Sequence, residues 1–330
     1  MSMTRYESRL ELLARVASLY YDQNKKQDEI GVELSVTRSA VSRLLTEARN
    51  KGVVEYIIHY PWRTSPDLEK RLQTTFNLEH VQVLVRNTKT YEEMLNGLGI
   101  IASQYLTNIL PDLKTIGISW GSGLYHLVRN FKPQLRSDME VTQLIGGTGM
   151  ERGSSIGPLL APGLAHSLGC ACRFLHAPLI MKNEASRNAL LEDPMIKETL
   201  DVAANVDIAL IGIGGITAKL YNPYLVGYIN MAELEDMQAA GIVGDVAGRH
   251  YNIQGEILEE HWVNKSYIGI SSETLKSIKS VMAVAGDSAK GEGIYGALRG
   301  NLIDILITDD SAAQRVLQLH ELYNKPGGQV

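Results

Sequence analysis

The segment from Gln27 to Leu45 constrains the fold of this chain more than any other. It reads as two short helices, 26–34 and 37–50, around a tight turn, with apolar residues on one side only of the second. At about 100° per residue and with Val41 as origin, Leu44, Leu45 and Ala48 gather around one direction, and Ser39, Ser42, Arg43 and Thr46 around the opposite one. Thr37 has the chemistry of an N-cap, which leaves Arg38 and Ser39 in a first turn whose backbone N–H groups lack acceptors. A small helix pair with one packed face and one face of short hydrogen-bonding side chains and arginines suits the DNA major groove. The expected DNA contacts are Gln27, which opens the first helix, with Thr37, Arg38, Ser39, Ser42, Arg43 and Thr46. The competing reading, a protein-binding helical hairpin, fits the polar and basic outer face less well.

Charge is distributed as this reading requires. The chain carries a net −5, which argues against a generic nucleic-acid binder. Residues 1–60 nevertheless hold nine basic against eight acidic residues, and from Thr37 to Lys51 the balance is four basic to one acidic. Positive charge therefore sits where phosphates would lie, on an otherwise acidic molecule. A helical pattern at 5–23 supplies a support helix, Gly52 stops the second helix of the motif, and Val53–Tyr60 reads as a short wing-like extended run. Residues 61–66, Pro-Trp-Arg-Thr-Ser-Pro, form a candidate hinge.

Beyond the hinge the periodicity changes. Helical patterns at 67–76, 91–110, 122–131, 157–168, 185–204 and 289–300 are interleaved with apolar runs at 80–85, 115–119, 140–145, 172–175, 208–213, 266–270, 280–285 and 305–308. Continuous apolar strands alternating with helices imply an α/β, doubly wound, mostly parallel sheet covered on both faces. The expected organisation is a helix-turn-helix domain at 1–60, a hinge at 61–66, a ligand-binding and oligomerisation domain at 67–320 and a disordered tail at 321–330. No apolar run approaches the roughly 18 residues needed to span a bilayer, and the N-terminus lacks a signal-peptide pattern. The two cysteines, Cys170 and Cys172, are too close for an easy disulfide and too few for a zinc site, so a reducing cytoplasm is expected.

Four of the strand ends are rich in small residues: Gly117–Gly123, Gly146–Gly149, Gly212–Gly215 and Ala285–Ser288. In open α/β sheets the carboxyl ends of the strands surround the ligand crevice, where glycines and helix N-termini favour an anion. The loop at 117–123 runs into a helix and offers the hydroxyls of Ser119 and Ser122, and Lys290 lies just behind the last loop. Neither a Walker pattern nor a dinucleotide fingerprint is present, which favours a small phosphorylated compound over a nucleotide. Asp245 and Arg249, four residues apart after a turn, suit sugar hydroxyls and a phosphate respectively, or else form a structural ion pair.

These landmarks together resemble the SorC family of bacterial sugar-responsive transcriptional regulators. The resemblance is carried by Thr37–Leu45, Gly117-Ile-Ser-Trp-Gly121, Ala177-Pro-Leu179, Asp207–Gly214, Gly244–Arg249, Ala285–Lys290 and Ala297–Asp309, in order over about residues 10–318. It implies operator DNA and a phosphorylated sugar as partners, a tetrameric homo-oligomer, and a Rossmann-like effector domain similar to phosphosugar isomerases and deaminases. By position it places effector contacts at Ser119, Trp120, Gly121, Ser122, Gly123, Gly147, Thr148, Gly149 and Lys290, with Asp245 and Arg249 near the sugar. Two departures stand out: Asp287 occupies a position where the family usually has glycine, and His250-Tyr251-Asn252 replaces the usual Phe-Phe-Asp. No cofactor, metal or membrane partner is expected. An enzyme, a sugar-phosphate isomerase or deaminase with an accessory DNA-binding arm, is the alternative. It needs a base and a partner acid, and Asp245, Asp287, Glu292, His126, His166 and His176 form no evident constellation.

Overall fold

A computed structural model describes residues 5–54, 62–87, 90–147 and 157–324. The chain divides into two compact units, residues 1–61 and 62–330. In the first, α1 (Arg5–Tyr21), α2 (Gln27–Glu33) and α3 (Arg38–Asn50) enclose Leu13, Val16, Ile30, Val41, Leu44, Leu45 and Ala48. These buried residues include the whole apolar stripe read on α3. The turn between α2 and α3 is built on Gly31 and Ser35. Ser35 adopts φ +54°, and the Val36 N–H donates to the Gly31 carbonyl at 2.9 Å. A Cβ on Gly31 would lie 2.8 Å from the Val36 carbonyl oxygen, so the approach requires glycine. The expected wing falls largely on residues 55–60, outside the described residues.

The second unit is organised on a seven-stranded sheet formed by β1 (His80–Leu84), β2 (Thr115–Ile118), β3 (Glu140–Gln143), β4 (Ala171–Arg173), β5 (Ile208–Ile211), β9 (Val281–Val284) and β10 (Ile305–Asp309). All its pairings are parallel, in the order β1-β10-β9-β5-β2-β3-β4. A second sheet is antiparallel: β6 (Ile213–Gly215), β7 (Ile242–Val246) and β8 (Arg249–Asn252). Alternate residues of the central strands enter two different cores. Ile208, Leu210, Met282, Val284, Ile305 and Ile307 pack with the helices 91–109, 122–130 and 157–168. Ala209, Ile211, Val281, Ala283 and Leu306 pack with the C-terminal helices and the small sheet. Burial on both faces is why these strands read as continuous apolar runs.

Several expected boundaries moved. The single helix expected at 185–204 is two, Glu184–Leu191 and Pro194–Ala204. Asp193 caps the second, its Oδ1 accepting from the Met195 N–H at 2.9 Å, and Pro194 cannot continue the first. The run 208–213 ends at Ile211, and Ile213 crosses into the small sheet. The strand expected at 266–270 is absent: Trp262–Ser266 is helical, and Tyr267 and Gly269 make only isolated bridges. The candidate hinge is fastened from residue 62 onward. Thr64 bridges Leu84, the Val85 N–H donates to the Arg63 carbonyl at 2.8 Å, and Pro66 opens the next helix, Pro66–Phe76. At the other end, Asp310–Tyr323 continues as helix past the expected boundary at 320. Of the expected tail, 325–330 lies outside the described residues.

Candidate functional site

In the first unit, the polar face of α3 is open to solvent. Ser39, Ser42, Arg43 and Thr46 are exposed, as are Thr37 and Arg38, and Gln27 is half-buried. Thr37 caps the helix, its Oγ1 accepting from the Ala40 N–H at 3.2 Å and lying 3.0 Å from Ser39 Oγ. Thr46 donates to the Ser42 carbonyl and accepts from Arg49, so its hydroxyl is held against the helix. Arg38 approaches Asp28 only to 3.8 Å. Among the described residues Arg43 has no ion-pair partner, which leaves its guanidinium free to reach an external acceptor.

In the second unit, strand order reverses between β2 and β5, the place where an open α/β sheet forms a crevice beyond its carboxyl edge. A cavity of about 220 Å³ opens there. Ser119, Trp120, Gly121, Ser122 and Gly123 form one wall, Gly212–Gly214 a second, and Asp245 and Lys290 line it as well. Thus seven of the expected effector contacts meet in one space. The helix Ser122–Asn130 begins at the cavity with Gly121 as N-cap, at φ +154° and without a capping side chain. Its first-turn N–H groups therefore lack intrahelical acceptors and face the crevice end of the sheet. The Trp120 indole N–H is buried without a partner.

The charges of Asp245 and Lys290 are finely balanced. Burial raises the Asp245 carboxyl to about 6, against the opposing pull of the Gly248 N–H, Lys290 and Arg249. Burial lowers the Lys290 ammonium, while Asp245 and Asp287 favour its charge. Lys290 has no ion pair within 4 Å among the described residues. Gly214 sits so close to Asp245 that a side chain there would collide with the carboxylate. The arrangement gathers a cation, a carboxylate and an uncapped helix N-terminus around one cavity: an anion subsite with a hydrogen-bond acceptor in the same space.

Other expected contacts lie elsewhere. Gly147 borders a separate small cavity, and its N–H donates to the Ala177 carbonyl at 2.9 Å, so it is not available to an anion. Thr148 and Gly149 lie outside the described residues. Arg249 does not line the cavity. On the β7–β8 hairpin Asp245 is paired with His250 and Val246 with Arg249, so period-two alternation directs Asp245 and Arg249 to opposite faces. Arg249 is buried, with Nε and Nη2 unpartnered, and burial lowers its guanidinium to about 10, with Arg187 adding to the effect. Asp287 accommodates its glycine-favouring position at φ +84°. Its carboxylate turns to Arg86 at 2.8 Å and the Ala289 N–H at 3.0 Å, rather than into the cavity. These contacts hold its pKa below the ordinary value although burial opposes them.

The cavity also recruits residues that no motif announced: Tyr91, Lys219, Leu220, Pro223 and Tyr267. They come from segments distant in sequence, and only the glycine loops around them carried a local signal. Among the described residues no group of three or more potential metal ligands assembles, and no helix is long and apolar enough to cross a membrane.

Residues 60–318 match the model of the family described as "Putative sugar-binding domain". The chain is 30% identical over 312 residues to the transcriptional regulator LsrR of Enterobacter sp. (strain 638), covering 94% of this chain and 93% of that one. It is 27% identical over 307 residues to the deoxyribonucleoside regulator of Bacillus subtilis (strain 168), covering 93% and 97%. The full-length sorbitol operon regulator SorC from Klebsiella pneumoniae is structurally similar, with a TM-score of 0.69, 27% identity, and coverage of 94% of this chain and 99% of that one.

Proposed function

Because the chain belongs to the SorC family of sugar-responsive transcriptional regulators, we propose that it is a sequence-specific DNA-binding regulator of a carbohydrate-utilisation operon controlled by a phosphorylated sugar. The observation that carries the effector half is the switch-point cavity, where Lys290, without an ion pair among the described residues, and the uncapped start of the helix Ser122–Asn130 offer charge to a phosphate. Asp245 is the acceptor for sugar hydroxyls. The DNA half rests on the exposed face of α3, with Ser39, Ser42, Arg43 and Thr46 toward base edges and Gln27, Thr37 and Arg38 toward the backbone. Ligand binding acts by shifting the population of DNA-competent arrangements, by an amount set by its differential affinity.

From the family resemblance the same reading takes the protein as a cytoplasmic homotetramer, within which paired recognition helices would address half-sites separated by whole helical turns. It assigns no catalytic residue and no cofactor. The enzyme reading draws on one observation, a carboxyl held near 6 beside a lysine. Turnover of a pentose or amino-sugar phosphate by the purified protein would establish it.

The direct test is a gel-shift competition of the full chain on fragments from its own promoter region against random duplex. Selective retention of one fragment is expected; equal retention of all duplexes would refute the regulator reading. Light scattering tests the assembly: the mass of a tetramer is expected, and a monomer or a dimer would be the contrary result.

A further inference from the structure

Behind the cavity wall lies a chain of buried polar groups that the functional reading does not use. Asp245 on β7 has His250 as its direct cross-strand partner on β8, so the two side chains share a face of the small sheet. His250 is fully buried, and Tyr221, Tyr267 and Asn264 around it are at most 2% exposed. Tyr221 Oη lies 2.6 Å from His250 Nε2 and 2.9 Å from Tyr267 Oη. Tyr267 itself lines the cavity with Asp245.

The proton positions in this chain follow from one anchored amide. Asn264 Nδ2 donates to the carbonyls of His250 at 3.0 Å and Leu258 at 2.8 Å, and Asn264 Oδ1 accepts from the His250 N–H at 2.8 Å. The amide orientation is thereby fixed, with its oxygen toward His250 Nδ1 at 3.2 Å. Nδ1 must then carry the imidazole proton, leaving Nε2 as an acceptor. Burial holds the ring neutral, since it lowers the imidazole pKa to about 3. Tyr221 has a single proton and gives it to Nε2. The contact between the two tyrosines is then satisfied only if Tyr267 donates to Tyr221.

We propose that His250 is a positioning residue for the ligand cavity: through Tyr221 it commits the Tyr267 proton inward, so that Tyr267 can only accept a hydrogen bond from the occupant. Tyr267 and Asp245 thus both offer acceptors, beside the donor Lys290, and together they select a ligand that donates to them, a sugar or polyol hydroxyl group. This inference rests on the cavity being the effector site.

The test uses the full chain in two measurements. Nitrogen NMR of the protein labelled with ¹⁵N-histidine, with His250 assigned by its loss in His250→Phe, reports the tautomer directly. A proton on Nδ1 is expected, and a proton on Nε2 would overturn the relay. Calorimetric titration then compares inorganic phosphate with the tightest-binding member of a panel of pentose, hexose and hexitol phosphates. His250→Phe should weaken the sugar phosphate about tenfold, the scale of one misdirected hydrogen bond, while leaving inorganic phosphate within about twofold. In a Tyr267→Phe background the same change should cost nothing further, because both act through one hydroxyl. Equal losses for both probes, or full additivity with Tyr267→Phe, would overturn the proposal. Absence of any sugar-phosphate binding by the wild type would instead remove the effector reading, and the selecting role with it. A Nε2-protonated ring with binding intact removes the relay alone.

Discussion

Replacing Asp245 by Asn should make the ligand-free protein more stable while impairing its cavity. The Asp245 carboxyl is displaced from its ordinary 3.8 to about 6, chiefly by burial. At about 1.4 kcal/mol for each tenfold change in acidity, the ionised form costs the folded unit about 3 kcal/mol. Asn has the same shape and can keep the contact with the Gly248 N–H, which lies 3.3 Å from Asp245 Oδ2. It also ceases to favour the charge of Lys290, which offsets part of the gain. A net stabilisation of about 1–3 kcal/mol above pH 7 follows, or about 2–10 °C in the transition of a unit this size. The sign with pH is set by the raised pKa of Asp245. The wild type recovers stability as the carboxyl takes up a proton below pH 6, so the gap between the two proteins should be full at pH 8, about half closed at pH 5 and nearly closed at pH 4. Scanning calorimetry of both proteins across that range is the assay. An Asp245→Asn protein less stable than wild type at pH 8, or a gap that ignores pH, would refute the reasoning.

Three substitutions probe the DNA-binding unit. Thr37→Ala removes the cap on the Ala40 N–H and should lower the stability of that unit by about 1 kcal/mol, read by thermal melting of the helical signal. Arg43→Ala should leave stability within about 0.5 kcal/mol, because the guanidinium has no ion-pair partner among the described residues. It should weaken binding to the selected promoter fragment by about 1–3 kcal/mol and flatten the preference at one base pair, measured by titration against single-base variants. Gly31→Ala sets a methyl group against the Val36 carbonyl at 2.8 Å, so the turn must open, with a loss of about 1–3 kcal/mol in the same melting assay.

The parts of the fold most legible in the sequence are those where one residue pattern dominates. The α3 stripe of Val41, Leu44, Leu45 and Ala48 gives both the helix and its buried side. The apolar runs at Ile208–Ile211 and Val281–Val284 give doubly covered strands. The small antiparallel sheet was hidden because its hairpin turns at Ala247 and Gly248, with φ +47° and +73°. Both central residues are left-handed, as in a type I′ turn, but alanine supplies none of the usual Asn-Gly signal. Missing that hairpin also misplaced Arg249. A spacing of four suggested a shared site with Asp245, whereas pairing across the turn brings His250 alongside instead. The glycine loops located the cavity but not its occupants from afar: Tyr91, Lys219 and Tyr267 arrive through tertiary packing that no local pattern encodes. Asp287 departs from the family's usual glycine without entering the cavity, because Arg86, 201 positions away, turns its carboxylate aside.

A groove-reading helix coupled to a cavity that senses a phosphorylated sugar should show that coupling as a ligand-dependent DNA affinity. Fluorescence anisotropy of the full chain on its selected promoter fragment, with sugar phosphates and their unphosphorylated parents added in turn, measures that link. At least one phosphorylated sugar should move the binding midpoint about tenfold, within the usual range of allosteric coupling, and its parent sugar should not. Lys290→Met should bind the same DNA with an unaltered midpoint and fail to respond. A midpoint that no sugar phosphate moves, or that wild type and Lys290→Met shift alike, would contradict the account.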